Sequence, residues 1–242
     1  MVADREGITR PVRVRGEVPL VIRTVAGADG SLTAYLVGGA AGPLGGDDVS
    51  LTVEVGAGAR LRVRSAAASM ALPGPHGHRS NASVEVTVAI GGELDWWPEP
   101  IVSADGSDHA MRTTIRLAGG ASLRWVDEVV LGRHGERGGR LTSRQRVEVD
   151  GVALIDHELA VGAAHLDGPG ANGPFRAFAT ALLHGHGAPD GARPVVEPDL
   201  RAASMSLGPL TRLAMAMAMD RDRAAAAVGT DANRWRALLT CS

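Results

Sequence analysis

A chain of 242 residues with 45% hydrophobic and 21% charged residues can bury a substantial core as one large β domain. Its net charge is −2, and arginine is its only basic residue besides histidine. This balance excludes the strongly positive surface potential that attracts nucleic acid or an anionic membrane. A single cysteine, Cys241, excludes an internal disulfide and any metal site built from several cysteines. The N-terminal region lacks an apolar signal-like stretch, and no segment reaches about 18 uninterrupted apolar residues. We therefore expect a cytoplasmic protein.

Two strands, residues 19–25 and 32–37, are the first predicted elements, and Ala28-Asp29-Gly30 forms the turn between them. A glycine-rich segment then leads to the paired acids Asp47 and Asp48, which precede a third strand.

A pattern that recurs four times dominates the next part of the chain. Each copy has an alternating run, a turn with glycine and a second alternating run, which is typical of a hairpin. The turn glycines of successive copies are 34, 28 and 31 residues apart, and repeats of this length indicate stacked units that each bury an open face on the next. The sequence therefore predicts a mainly β fold of stacked β-hairpins in a coil-like or sandwich arrangement, over about residues 19–161. The turn glycines are Gly58, Gly92, Gly120 and Gly151.

The C-terminal part, about residues 174–242, is predicted to belong to the same single domain, 1–242. Residues 175–184 favour a strand in this context. Leu213, Met215 and Met217 alternate with alanines, which predicts a strand with a Leu/Met face. A short helical segment follows, with Asp220 or Asp222 as its N-cap and with Trp235, Leu238 and Leu239 on its apolar face.

Acidic residues beside the repeated units are the main candidates for function. Glu99 lies between two prolines, which fix its presentation. Asp127 and Glu128 are neighbours in a predicted strand, so they point to opposite faces. One of the two must face inward, where a carboxylate has to be paired, protonated or bound to a metal.

Histidine offers an alternative. His76 and His78, with the distant His109, suggest a cupin-like metal-binding enzyme, although the next acid, Glu85, is too far along the chain for the usual cupin pattern. A solvated loop is the favoured interpretation of His76 and His78. No lysine-containing phosphate loop and no G-x-S-x-G nucleophile motif are present, so no catalytic residue is predicted.

Several segments resemble the family of the urease accessory protein UreD, also called UreH. They include Gly45-Gly46-Asp47, Pro98-Glu99-Pro100 and Leu131-Gly132-Arg133, in matching order and spacing over about residues 19–161. The resemblance implies a β-rich fold and a non-enzymatic metallochaperone scaffold without a tightly bound cofactor. It also implies binding to apo-urease and to a helical UreF-like protein, contact with a UreG-like GTPase through UreF, and passage of transient Ni²⁺ along a polar tunnel.

The resemblance also implies site residues. Asp47, Glu99 and Glu128 become candidate nickel-path carboxylates, with Asp48 and Asp127 as weaker candidates. The family's contact with UreF is C-terminal, so exposed apolar residues there are expected to bind the partner: Leu213, Met215, Met217, Trp235 and Leu238. One departure is the segment Ser65–Met70, which replaces a Gln-Ala-Ala-x-Lys-like segment found in many family members.

Overall fold

The computed structural model describes residues 7–162, 168, 172–185 and 194–229, together with the backbone of residues 2–3. One described helical segment, residues 221–229, accompanies the strands. The strands are β1 (Val2–Ala3), β2 (Thr9–Arg10), β3 (Leu20–Ala26), β4 (Leu32–Gly38), β5 (Asp48–Val55), β6 (Arg60–Ser65), β7 (Ser69–Ala71), β8 (Ser80–Val88), β9 (Glu93–Trp96), β10 (Ile101–Ser103), β11 (Asp108–Leu117), β12 (Ser122–Leu131), β13 (Arg140–Val149), β14 (Val152–Val161), β15 (Ala177–His184), β16 (Val195–Glu197), β17 (Leu200–Ser206) and β18 (Thr211–Ala218).

Two sheets form the body of the protein, and the chain winds between them. Strands β4, β6, β9 and β12 lie side by side and parallel in the larger, eleven-stranded sheet. Strands β5, β8, β11 and β13 form a matching parallel ladder in the five-stranded sheet, which β14 closes at one edge. Each turn of the coil thus adds one strand to each sheet. The predicted mainly β, coil-like stack with a short C-terminal helix is confirmed.

Pairing within the repeated units differs from the prediction in three of the four cases. Strand β5 pairs with β8 rather than with β6, although Gly58 connects β5 to β6 as expected. The units β5–β6, β8–β9 and β11–β12 are arches, because the two strands of each lie in different sheets. Of the four repeated units, only β13–β14 pairs as a hairpin. An arch and a hairpin share the same alternation and the same glycine turn, so the pattern alone does not distinguish them.

The main core lies between the sheets, close to the arches. Strands of the smaller sheet contribute Val86, Ile115 and Val147, which face Leu61, Leu94 and Leu123 of the larger sheet. Trp96 stacks on Trp125 of the next turn, with ring centroids 4.3 Å apart and planes within 1° of parallel. Equivalent positions of successive turns therefore stack on one another, which is how each turn buries the open face of the previous one.

Antiparallel strands extend the larger sheet beyond β12, in the order β15, β18, β17 and β16. Strands β15 and β18 confirm the strands predicted over 175–184 and around Leu213. The helical segment 221–229 then covers the outer face of this extension, where Ala224 and Val228 pack against Val126 and neighbouring alanines. Asp220 caps it, because its Oδ1 accepts a hydrogen bond of 3.0 Å from the backbone N–H of Arg223.

Candidate functional site

Two tryptophans at the end of β9 face opposite sides of the larger sheet. Trp96 points into the core, whereas Trp97 lies on the outer face beneath the guanidinium of Arg124, whose Cζ is 5.0 Å from the ring centroid. The side-chain alternation of a strand explains this division. The two indole N–H groups are thereby available to acceptors on opposite faces of β12.

Asp127 is the acceptor on the inner face. Its carboxylate accepts hydrogen bonds from Trp125 Nε1 at 2.6 Å and from Trp96 Nε1 at 3.3 Å. Desolvation between the sheets raises the pKa of Asp127 to about 6, although the two indole hydrogen bonds oppose this rise. The expected inward carboxylate of the Asp127–Glu128 pair is therefore Asp127, and a proton is held there more tightly than on an ordinary aspartate.

Glu128 is the acceptor on the outer face, where the C-terminal helical segment covers it and leaves it 6% exposed. Its Oε1 accepts a hydrogen bond of 2.9 Å from Trp97 Nε1. Its Oε2 accepts one of 2.6 Å from Nε of Arg221, at the start of the helical segment. Both carboxylate oxygens thus have a donor, as a buried charge requires.

Glu99 completes the cluster from the loop after β9. Nη2 of Arg221 donates a hydrogen bond of 3.1 Å to Glu99 Oε2, and the backbone N–H of Glu99 donates to Ser65 Oγ at 2.8 Å. The two candidate carboxylates Glu99 and Glu128 therefore share one guanidinium. They border a cleft of about 350 Å³ that we call the carboxylate cleft, lined by Arg64, Trp97, Glu99, Glu128, Arg221, Asp222 and Ala225.

A buried ion network lies beside this cleft and shares Arg64 with it. Asp95 of β9 accepts hydrogen bonds from Arg124 at 2.9 and 2.5 Å and from Arg64 at 2.7 Å. Burial of Asp95 favours its protonated form, but the two guanidinium groups outweigh this and hold its pKa below the usual range. Arg124 is 1% exposed, so its charge needs this partner.

Sequence reasoning missed the arginines of this site and Asp95. One signal was available for part of the network, because Asp95 and Arg124 occupy equivalent positions in successive turns and have opposite charges. Arg221 gave no such signal, since it lies 93 residues from Glu128 and 122 from Glu99.

A polar layer crosses the interior of the coil and separates two apolar clusters. One cluster is the main core beside the arches, and the other lies at the opposite end of the strands. In β13, for example, Gln145 lies between Val147 of the main core and Leu141 of the second cluster, and all three side chains face the interior. Gln145 is 3% exposed, and within the described residues neither atom of its amide has a hydrogen-bond partner. Buried polar atoms without protein partners are typical places for internal water. The polar layer consists of Thr113, Asp127, Gln145, His157 and Thr180.

The remaining candidate carboxylates lie apart from the carboxylate cleft. Asp47 closes a turn, because its Oδ2 accepts a hydrogen bond of 2.8 Å from the backbone N–H of Leu44. Its own carbonyl accepts another from Asn81. Asp48 is exposed at the start of β5. The structure thus brings Glu99 and Glu128 together, places Asp127 on the other face of the same sheet, and leaves Asp47 and Asp48 at a separate turn.

The cupin-like alternative is wrong. His76 and His78 are exposed on a loop, with ring centroids 5.8 Å apart, whereas His109 is fully buried and its Nδ1 lies 2.8 Å from Ser80 Oγ. Desolvation lowers the pKa of His109 to about 4. Among the residues that the structure describes, no three His, Cys, Asp or Glu side chains are grouped to hold a metal ion.

The expected exposure of the Leu/Met face on β18 is wrong for Leu213, whereas Met215 and Met217 are half-buried. Leu213 is 6% exposed in the core between the sheets, and Met215 and Met217 pack against the two inner apolar clusters. The alternation was identified correctly, but its apolar side faces inward because β18 extends the larger sheet of the coil. Trp235 and Leu238 lie outside the described residues.

The fold and the cleft define a β-solenoid protein with a helix-covered cluster of carboxylates and arginines on its larger sheet. In the described part of the chain, no helix combines the length and the apolar character that crossing a membrane requires.

The chain belongs to the family described as UreD urease accessory protein, whose family model matches residues 1–241. It is 43% identical over 191 residues to the urease accessory protein UreD of Frankia alni, an alignment that covers 70% of this chain and 60% of that protein. It is 41% identical over 209 residues to UreD of Streptomyces avermitilis, covering 85% of this chain and 81% of that protein. A third relative, UreD of Streptomyces coelicolor, is 41% identical over 169 residues, covering 70% and 64%. The chain thus spans less than two thirds of the Frankia alni and Streptomyces coelicolor proteins.

Proposed function

We propose that this protein acts in urease maturation as a non-enzymatic scaffold that binds apo-urease and a UreF-like helical partner, and that helps pass nickel to the urease active site. The observation that carries the proposal is the match of the UreD family model to residues 1–241. A UreG-like GTPase would join through the UreF-like partner rather than directly. The nickel ion is cargo and not a resident cofactor.

Nickel passage requires ligands that bind the ion and then release it. Carboxylate oxygens suit this task better than a closed cage of histidine and cysteine, which would hold a divalent metal tightly. Glu99 and Glu128 share a cleft and offer such oxygens on the outer face of the larger sheet. We assign these two residues to one step of the nickel path.

An interior route is supported by the polar layer. Apolar side chains on both sides of this layer exclude water. The amide of Gln145, which has no partner in the described part of the chain, and the carboxylate of Asp127 offer polar contacts between the sheets. A hydrated ion needs such contacts along its way. We assign Asp127 to this interior step, and Asp47 with Asp48 to a separate acidic position at the turn before β5.

A maturation assay tests the assignment of the cleft carboxylates. The protein would be expressed with apo-urease and the other accessory proteins, and the nickel content and activity of the purified urease would be measured. Glu99→Gln and Glu128→Gln should each lower both values several-fold, because each removes one charged ligand. Glu85→Gln is the matched control, since Glu85 is exposed on the other sheet and its contact with Arg116 is 3.8 Å long.

Two outcomes separate the parts of the proposal. Wild-type maturation with Glu99→Gln and Glu128→Gln would contradict the nickel path but leave the scaffold role intact. Failure of the wild-type protein to co-purify with apo-urease and a UreF-like protein would contradict the scaffold role itself.

A further inference from the structure

One guanidinium joins the two carboxylates of the cleft. We propose that Arg221 occupies the cation position between Glu99 and Glu128, and that the helical segment 221–229 is a latch that keeps these carboxylates closed to metal until it lifts. The inference rests on the proposed function, because it concerns access to the same carboxylates. Arg221 contacts Glu128 at 2.6 Å and Glu99 at 3.1 Å.

Charge neutralisation explains why a metal and Arg221 exclude each other here. Glu128 is almost fully buried, and its two oxygens are occupied by the indole N–H of Trp97 and by Arg221. A divalent cation that used Oε2 of Glu128 would have to approach a guanidinium already bound to that oxygen, and like charges at such distances repel each other. Binding of metal therefore requires Arg221 to leave.

Loss of a proton from Arg221 is not a way to open the latch. The hydrogen bond to Glu128 is the largest of the effects that raise the pKa of Arg221 above an already high ordinary value. The guanidinium therefore stays charged at any physiological pH. Arg221 must therefore leave the two carboxylates as a cation, and we assign this displacement to lifting of the helical segment that carries it.

The apolar contact that holds the helical segment is small. The segment contributes only the short side chains of Ala224, Ala227 and Val228 to an apolar cluster whose other members include Trp97 and Leu200. Short side chains bury few methyl and methylene groups and so contribute little apolar stabilisation. The ionic contacts of Arg221 and Arg223 therefore form a considerable part of what holds the segment in place.

Arg223 provides a matched comparison within the same segment. It forms ion pairs with Glu197 and with Asp199, the latter at 3.1 Å, on the far side of the segment from the cleft. Like Arg221, it is a partly exposed arginine that ties the segment to the body of the protein. Unlike Arg221, it does not line the carboxylate cleft.

The test measures Ni²⁺ binding to the full chain by equilibrium dialysis, with Ni²⁺ as the only added metal. Arg221→Ala should bind Ni²⁺ about tenfold more tightly than the wild type, within the usual range for coupling between competing ligands. The double variant Arg221→Ala/Glu128→Gln should return to wild-type affinity. Arg221→Lys keeps the cation and should remain as weak as the wild type.

Hydrogen exchange of residues 221–229 separates the latch from simple loosening. Both Arg221→Ala and Arg223→Ala should exchange faster, but only Arg221→Ala should gain Ni²⁺ affinity. An equal gain with Arg223→Ala, or no gain with Arg221→Ala, would overturn the inference.

If Glu128→Gln impairs urease maturation while Arg221→Ala leaves Ni²⁺ affinity unchanged, the latch fails and the proposed function stands. If Glu128→Gln and Glu99→Gln both mature urease normally, the assigned nickel path fails, whatever the dialysis shows.

Discussion

Asp127 and Glu128 are neighbours in the chain but occupy two different electrostatic environments. Glu128 is neutralised by a guanidinium on the outer face, whereas Asp127 accepts hydrogen bonds from two neutral indoles between the sheets. A guanidinium compensates a buried carboxylate far better than neutral donors do. This difference gives Asp127 a measurable influence on stability.

Asp127→Asn should flatten the pH dependence of stability. The pKa of Asp127 is raised to about 6 in the folded protein, from an ordinary value of 3.8, so the folded state binds the proton more tightly than the unfolded chain. Ionisation of Asp127 therefore leaves the free energy of unfolding unchanged below about pH 4. It lowers this free energy progressively as the pH rises to about 6, and by about 3 kcal/mol above that pH. The asparagine side chain would keep one acceptor oxygen for an indole N–H and would not carry the cost of ionisation.

Urea unfolding of both proteins between pH 4 and pH 7.5 measures this effect. The difference in free energy of unfolding between variant and wild type should move in favour of the variant over that range. Titration of all other groups cancels in the comparison. Two parallel curves would show that Asp127 ionises in the folded protein as easily as in water.

Individual strands follow closely from the sequence, whereas their partners do not. Alternation and glycine turns locate β5, β8, β11 and β18 because burial on one face imposes a period of two. The same period fits an arch and a hairpin, and it fits an inward or an outward Leu/Met face. The pairing of Glu128 with Arg221 depends on residues 93 positions apart, so only the folded chain reveals it.

Close backbone approach defines the loop elements near Asp47, and Gly74→Ala should disturb it. A Cβ at Gly74 would lie 2.8 Å from Gly45 Cα and closer still to the Gly45 carbonyl, and this backbone cannot give way as a flexible side chain would. We expect the free energy of unfolding to fall by about 1–3 kcal/mol, as for other overpacked sites. Thermal and urea unfolding measure this change.

Gly38→Ala is the control for this substitution. A Cβ at Gly38 would have only Ala40 O nearby, at an ordinary 3.6 Å, and Gly38 does not need a positive φ. Its stability should stay within about 0.5 kcal/mol of the wild type. If Gly74→Ala were equally harmless, the contact between the loops of Gly45 and Gly74 would be loose in solution.

At the scale of the whole molecule, the coil is divided along its strands into apolar, polar and apolar layers. The layer beside the arches contains the stacked Trp96 and Trp125, and the opposite apolar layer contains Leu141 and Phe178. Dry layers of this kind supply stability, whereas the polar layer between them costs stability because its groups are only partly paired. A protein that served only as a rigid support would gain from an apolar middle layer.

Gln145→Met is the sharpest test of why the polar layer exists. Methionine has a similar volume and no polar atoms, so it removes a buried amide that has no partner within the described residues. The free energy of unfolding should stay level or rise by about 1–3 kcal/mol.

If the polar layer is the interior route for nickel, the nickel content of matured urease should fall with the same variant. Lower maturation together with equal or higher stability cannot arise from misfolding, so the two measurements together identify the route. Unchanged maturation with a more stable protein would contradict an interior path through Gln145 and leave the carboxylate cleft on the outer face as the place where the ion is handled.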